Sequence, residues 1–234
     1  MQMRYGIALF AMVSMASLSG CGQDDVTLPD QTGGNAGECG SWYPGGDTAG
    51  DAGTVYSFAE GEILPCFVWE SVGKGPVTGA PTTYLNMGEI FLQYKHGDLA
   101  ALQSKFGDGI DDPRAIVLAI SAFNCGTCPG FMTDLSQNRD ALEAAGAILI
   151  GVARSDTSES NWLDFETADE LLVDEGWDED LHRTNDEERH LGTLGNIYPQ
   201  VAVIDLETMA TILLADGSGY DAAGLVSFLD DNLD

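Results

Sequence analysis

The chain has 234 residues, 44% hydrophobic and 20% charged, enough for one ordinary domain with a real core; a collagen-like, fibrous or wholly disordered protein is excluded. Nine Lys and Arg stand against 38 Asp and Glu, a formal charge of −29. A surface this negative repels phosphate backbones and anionic headgroups, so no nucleic acid is expected as a partner, and the acidity reads as a solubility or salt-tolerance trait.

The first twenty residues do not read as part of the fold. Arg4 gives a short positive start, and Tyr5 to Leu18 is an apolar run too short for a comfortable membrane span. The run closes on Leu18-Ser19-Gly20-Cys21, which resembles the lipobox of bacterial lipoprotein signal peptides. The resemblance implies that residues 1–20 are removed and that the Cys21 thiol carries a diacylglycerol. The protein is then exported and tethered to a membrane through its lipid anchor, facing an oxidising compartment. Gly22, where that family places Asp for inner-membrane retention, favours the outer membrane. An ordinary secretory leader with Cys21 in place by chance is the alternative. No later stretch is apolar for long enough to cross a bilayer.

Five cysteines, Cys21, Cys39, Cys66, Cys125 and Cys128, are an odd number for an exported chain. Lipidation of Cys21 leaves four. Cys125 and Cys128 form a C-x-x-C pair, and Cys39 with Cys66 reads as a structural bridge stapling the tether to the domain edge.

Residues 21–57 are rich in Gly, Asp, Asn and Thr with almost no aliphatics, and they read as a flexible tether in which Trp42 and Tyr43 pack locally near Cys39. The domain is expected over residues 58–234. Phe67 to Val72, β-branched and aromatic, predicts a strand, Gly73 to Pro81 reads as a turn region, and another short strand is expected within Tyr84 to Tyr94. Leu99, Leu102 and Phe106 recur at helical spacing and predict a short helix from Gly97 to Phe106. Ala115 to Phe123 is a continuous apolar run, as in a strand buried on both faces. After Cys128, the residues Phe131, Leu135, Leu142 and Ala145 lie on one helical stripe ended by Gly146. Ala147 to Val152 predicts a second buried strand. Trp162, Phe165, Leu171 and Leu172 predict a helix ending before Gly176. Val201 to Ile204 and Thr211 to Leu214 predict two strands around a turn at Glu207-Thr208, and Ala222, Leu225, Val226, Leu229 and Leu233 line a final helix. This order predicts an α/β fold: a mixed central sheet with helices on both faces, whose first crossover is parallel.

The C-x-x-C is informative because of its position, where a buried strand hands over to a helix. Cys125 falls at or just before the first helical turn, where unpaired N–H groups and the helix dipole favour a negative sulfur. Such a thiol has a lowered pKa and is a competent nucleophile. Cys128, one turn on and more buried, is placed to resolve a mixed disulfide. Pro129 is harmless in the first turn.

Cys125-Gly126-Thr127-Cys128 behind a hydrophobic strand, with Tyr198-Pro199 leading into Gln200-Val201-Ala202-Val203-Ile204-Asp205, resembles the thioredoxin superfamily. The likeness is greatest to the redoxin-like branch of extracytoplasmic, membrane-anchored thiol–disulfide oxidoreductases. Gly61 to Val72, with Pro65 and Phe67, resembles the N-terminal extension of that branch, and the likeness spans residues 58–233. It implies a thioredoxin-like three-layer fold. It implies a cis Pro199 beside the C-x-x-C, with the Tyr198 backbone pairing with an extended segment of substrate. It implies disulfide exchange with exported proteins that bear disulfides or dithiols, with no cofactor beyond the redox-active disulfide and no metal. The chain departs from the pattern in three places. Asn124 stands where an aromatic residue is usual. The strand from Ala115 to Phe123 has no carboxylate to act as buried proton acceptor, which leaves that role to water or another element. Asp164 to Glu188 looks like an acidic insertion.

Competing readings remain open on the sequence. The disulfide is purely structural in a non-enzymatic lipoprotein. A copper-binding metallochaperone of the same fold is a second alternative, although that branch has an extra residue between its cysteines and a histidine in place of the proline. Structural zinc needs two further ligands, for which His182 and His190 are the candidates, both in a polar acidic stretch. A peroxiredoxin requires Pro and Thr at fixed offsets before its cysteine, and Leu118 and Ala122 occupy them for Cys125. The acidic run Asp174 to Glu188 lacks the spacing of a calcium loop and reads as a solvated face.

Overall fold

Apolar runs and periodic stripes resolve into seven strands and six α-helices among the described residues of a computed structural model, which are 42–44, 58–156, 163–186, 191 and 197–233. In chain order they are β1 (Val68–Val72), β2 (Thr83–Asn86), α1 (Met87–Lys95), α2 (Leu99–Phe106), β3 (Ala115–Phe123), α3 (Cys128–Gln137) and α4 (Arg139–Ala144). There follow β4 (Ala147–Asp156), α5 (Phe165–Asp174), β5 (His182–Asn185), β6 (Gln200–Asp205), β7 (Thr211–Asp216) and α6 (Ala222–Asn232). The described residues all belong to one compact unit. Residues 1–20 with their cleavage site, Cys21, Cys39, Trp162 and His190 lie outside the described residues. No helix among the described residues is long and apolar enough to cross a membrane.

One seven-stranded sheet runs in the order β2-β1-β5-β4-β3-β6-β7. β3, β4 and β5 are mutually parallel, and antiparallel strands flank them on both sides. Successive side chains of β3 point to opposite faces. Ile116, Leu118 and Ile120 join Ile90 and Phe91 of α1 and Leu102 and Phe106 of α2. Val117 and Ala119 join Met132 of α3, Leu142 of α4, Leu172 of α5 and Leu229 of α6. Both faces of the sheet are therefore covered, which is why the strand reads as an unbroken apolar run. The result is the mixed three-layer α/β sheet expected of a thioredoxin-like fold, with β4-β3-β6-β7 as its core.

The short strand expected within Tyr84 to Tyr94 is β2, which ends at Asn86, whose side chain accepts from the Glu89 N–H and starts α1. Two stretches differ from expectation. The stripe after Cys128 is two helices, because Asn138 leaves helical geometry and turns its amide back onto the Asp134 carbonyl at 2.8 Å. The acidic segment keeps a solvated face, with Asp174, Glu179 and Asp180 exposed, but part of it is packed into the domain. Asp169, Glu175 and Asp186 in it are all buried, and β5 inserts between β1 and β4. Burial is tolerated because each carboxylate has a partner, Asp169 with Arg183, Glu175 with Ser121 and Asp186 with Arg154. His182 lies in the same layer, its ring nitrogens 3.2 Å from Ser71 Oγ and 3.0 Å from the Lys105 carbonyl, and burial brings its pKa down to about 4. It is a neutral core histidine committed to these two bonds.

The packing also reaches back into the stretch read as tether. Tyr43 is buried, donates its hydroxyl to the Leu64 carbonyl at 2.7 Å and meets Phe91 edge-on at 5.6 Å.

Candidate active site

β3 ends at Phe123, and Asn124 follows in the left-handed region at φ 67°, a conformation Asn tolerates better than most residues. The turn brings the Cys125 N–H to the Ala122 carbonyl at 3.1 Å. α3 begins at Cys128, with Thr127 as its N-cap and Pro129 in its first turn. Cys125 thus sits immediately before the helix, and the Cys128 N–H points at Cys125 Sγ from 3.2 Å. The two sulfurs are joined, with an S–S distance of 2.09 Å and Cα atoms 5.4 Å apart. Cys125 is 9% exposed and Cys128 is fully buried, so an incoming thiol or disulfide meets Cys125 first.

The Tyr198–Pro199 peptide is cis and lies against this turn. Thr127 makes no side-chain cap bond to α3, and its hydroxyl donates to the Tyr198 carbonyl at 3.3 Å. A contact between residues 71 apart therefore joins the two motifs. Gly217, following β7, donates to the Pro199 carbonyl at 2.8 Å. A Cβ at Gly217 would lie 3.1 Å from both the Phe131 ring and Pro199 Cγ, so glycine there lets α3, the proline and the end of β7 close together. Two apolar side chains stay exposed nearby in sequence, Phe123 two residues before Cys125 and Ile197 just before Tyr198.

A buried carboxylate from another element lies beside β3. Glu175, at the C-cap of α5, accepts a hydrogen bond from Ser121 on β3, while its backbone carbonyl accepts from Thr133 Oγ1 on α3 at 3.2 Å. It is wedged between the two elements that meet at the disulfide. Burial pushes its pKa up to about 7, against the Ser121 hydrogen bond, which favours the charged form. Nothing local singles it out, since Glu175 stands in a run of acids and its partner is 54 residues away.

Cys66 is buried and disulfide-bonded; Cys39, its expected partner, is outside the described residues. Among the described residues no three His, Cys, Asp or Glu side chains are grouped to hold a metal.

No protein-family model and no curated protein sequence matches the chain. Solved structures with a similar fold exist at low identity. One is the thioredoxin domain of a thiol-disulfide oxidoreductase from Bacteroides vulgatus, 11% identical over 76% of this chain and all of that one, with a TM-score of 0.44. A DsbF homologue from Corynebacterium diphtheriae is 14% identical over 79% of this chain and 95% of that one, with a TM-score of 0.44. AhpC of Mycobacterium bovis is 13% identical over 75% of this chain and 98% of that one, with a TM-score of 0.48.

Proposed function

We propose that this thioredoxin-like chain is an exported, lipid-anchored thiol–disulfide oxidoreductase that exchanges disulfides with protein partners outside the cytoplasm through Cys125 and Cys128. The observation that carries the reading is the pairing of these sulfurs at the start of α3, with the Cys128 N–H aimed at Cys125 Sγ and the cis Tyr198–Pro199 peptide tied to the same turn. In the dithiol form, the Cys125 thiolate attacks a partner disulfide; a mixed disulfide forms and the partner's other sulfur leaves, taking up a proton. Cys128 then gives up its proton and attacks Cys125 Sγ, which restores the Cys125–Cys128 disulfide and frees the partner as a dithiol. The Cys128 proton passes to the second partner sulfur as it leaves, so the partner departs with both thiols protonated. Run backwards, the same steps oxidise a partner dithiol.

The Cys125–Cys128 pair carries the two electrons in its dithiol form and accepts them in its disulfide form, so it is itself the redox group of the proposed reaction. The lipobox at Leu18 to Cys21 supports attachment through a diacylglycerol on Cys21, with the outer membrane favoured by Gly22. The backbone of Tyr198 beside Pro199 is the place where an extended partner segment pairs.

Cys125→Ser should reduce the disulfide-reducing activity, measured on insulin, to background while leaving the fold unchanged by circular dichroism; full activity in that variant would overturn the mechanism. The reduction potential of the pair sets the direction. A value near about −270 mV marks a reductant, and one near about −120 mV an oxidant.

A further inference from the structure

Thr127 occupies the N-cap of α3 without capping it. Its hydroxyl has one proton and two acceptors within reach, the Tyr198 carbonyl at 3.3 Å and Cys125 Sγ at 3.7 Å. The second distance lies within the range of a hydrogen bond to sulfur. Which acceptor wins depends on the charge of that sulfur. In the disulfide the sulfur is neutral and a weak acceptor, and the proton is on the carbonyl side. A thiolate is a charged acceptor, and hydrogen bonds to charged groups are about twice as strong as neutral ones.

We propose that the Thr127 hydroxyl is a redox-dependent switch, donating to the Tyr198 carbonyl when Cys125 and Cys128 are bonded and to the Cys125 thiolate when they are reduced. The inference rests on the oxidoreductase reading and deepens it. When a partner dithiol reduces the pair, the partner is oxidised to a disulfide and the Cys125–Cys128 bond breaks. Of the partner's two protons one goes to Cys128 and one to solvent, and Cys125 keeps the negative charge. Rotation about the Thr127 side chain then gives the thiolate a second donor beside the Cys128 N–H, which already lies 3.2 Å away. Two consequences follow from one rotation. Cys125 becomes more acidic, and the tether between the C-x-x-C turn and the proline loop is released only in the reduced state. Thr127 acts through Cys125, and it is a positioning residue.

The test is the pH profile of Cys125 alkylation by iodoacetamide in the reduced full chain, followed by mass spectrometry of the Cys125 peptide. Thr127→Val removes the hydroxyl and keeps the shape, and the exposed position lets the variant fold. Thr127→Ala is a second hydroxyl-free variant, and Thr127→Ser restores the donor. The midpoint should rise by about one pH unit in both hydroxyl-free variants and return to the wild-type value in Thr127→Ser. An acidic wild-type midpoint that Thr127→Val and Thr127→Ala leave unmoved would overturn the switch and leave the oxidoreductase reading standing. A wild-type midpoint near that of an ordinary cysteine, about 8.5, would overturn both.

Discussion

A carboxyl group buried against a serine hydroxyl behaves differently on the two sides of its pKa, and Glu175 makes this measurable. Its carboxyl ionises near 4.5 in an unfolded chain and near 7 in the folded one. Between those values the folded protein holds a proton that the unfolded chain has lost, so stability declines as pH rises through that window and stays lower above it. Glu175→Gln removes the ionisation and keeps an acceptor for Ser121. The variant should match the wild type near pH 4 and be more stable by about 1–3 kcal/mol at pH 8, read from urea unfolding at the two pH values. Equal stabilities at pH 8 would mean that the carboxylate reaches water. Cys125 and Cys128 were readable from their spacing and position, because the chemistry of a C-x-x-C at a helix start is local. Glu175 was not, because what makes it unusual is a hydroxyl on another strand and the loss of water around it.

The strands and helices divide by how much of their reason lies in their own residues. β3 and β4 declare themselves, since nearly every side chain must be apolar when a strand is covered on both faces. β5, His182-Arg183-Thr184-Asn185, has no apolar alternation, yet all four residues are buried. It is held by what surrounds it. Arg183 Nε donates to Asp169 Oδ1 at 2.6 Å, and the rest of the guanidinium donates to the carbonyls of Glu179 at 2.9 Å and Gly75 at 2.8 Å. Asp169 also accepts from the Thr78 N–H at 3.0 Å, so one ion pair fixes α5, β5 and the turn after β1. Trp177 completes the layer by lying over Gly151, where an added Cβ would fall 2.8 Å from its ring. Breaking the pair by Asp169→Ala strands the Arg183 charge in the interior and should cost about 3–5 kcal/mol. The melting temperature should fall by about 10 °C while the alkylation profile of Cys125 is unchanged. A loss below about 1 kcal/mol would refute the view that this pair organises the segment.

The molecule as a whole carries far more negative charge than its few cations neutralise. Lys95, Lys105, Arg114, Arg139, Arg154 and Arg183 each already hold a carboxylate. The remaining acids repel one another, and that repulsion is relieved when the chain expands. Raising NaCl from 0.05 to 1 M should therefore increase the melting temperature, by about 5 °C if screening recovers about 2 kcal/mol. A flat or falling melting temperature would show that the acids are spaced widely enough not to interact. Charge, length, the order of most elements and the identity of the reactive cysteines are written in composition and local spacing, since each depends on a residue and its near neighbours along the chain. The burial of Asp169, Glu175 and Asp186, the insertion of β5, the split at Asn138 and the joining of Thr127, Tyr198 and Gly217 around the disulfide depend on residues brought together from distant parts of the chain. Those contacts exist only once the sheet has closed, because hydrogen bonding and desolvation act through space.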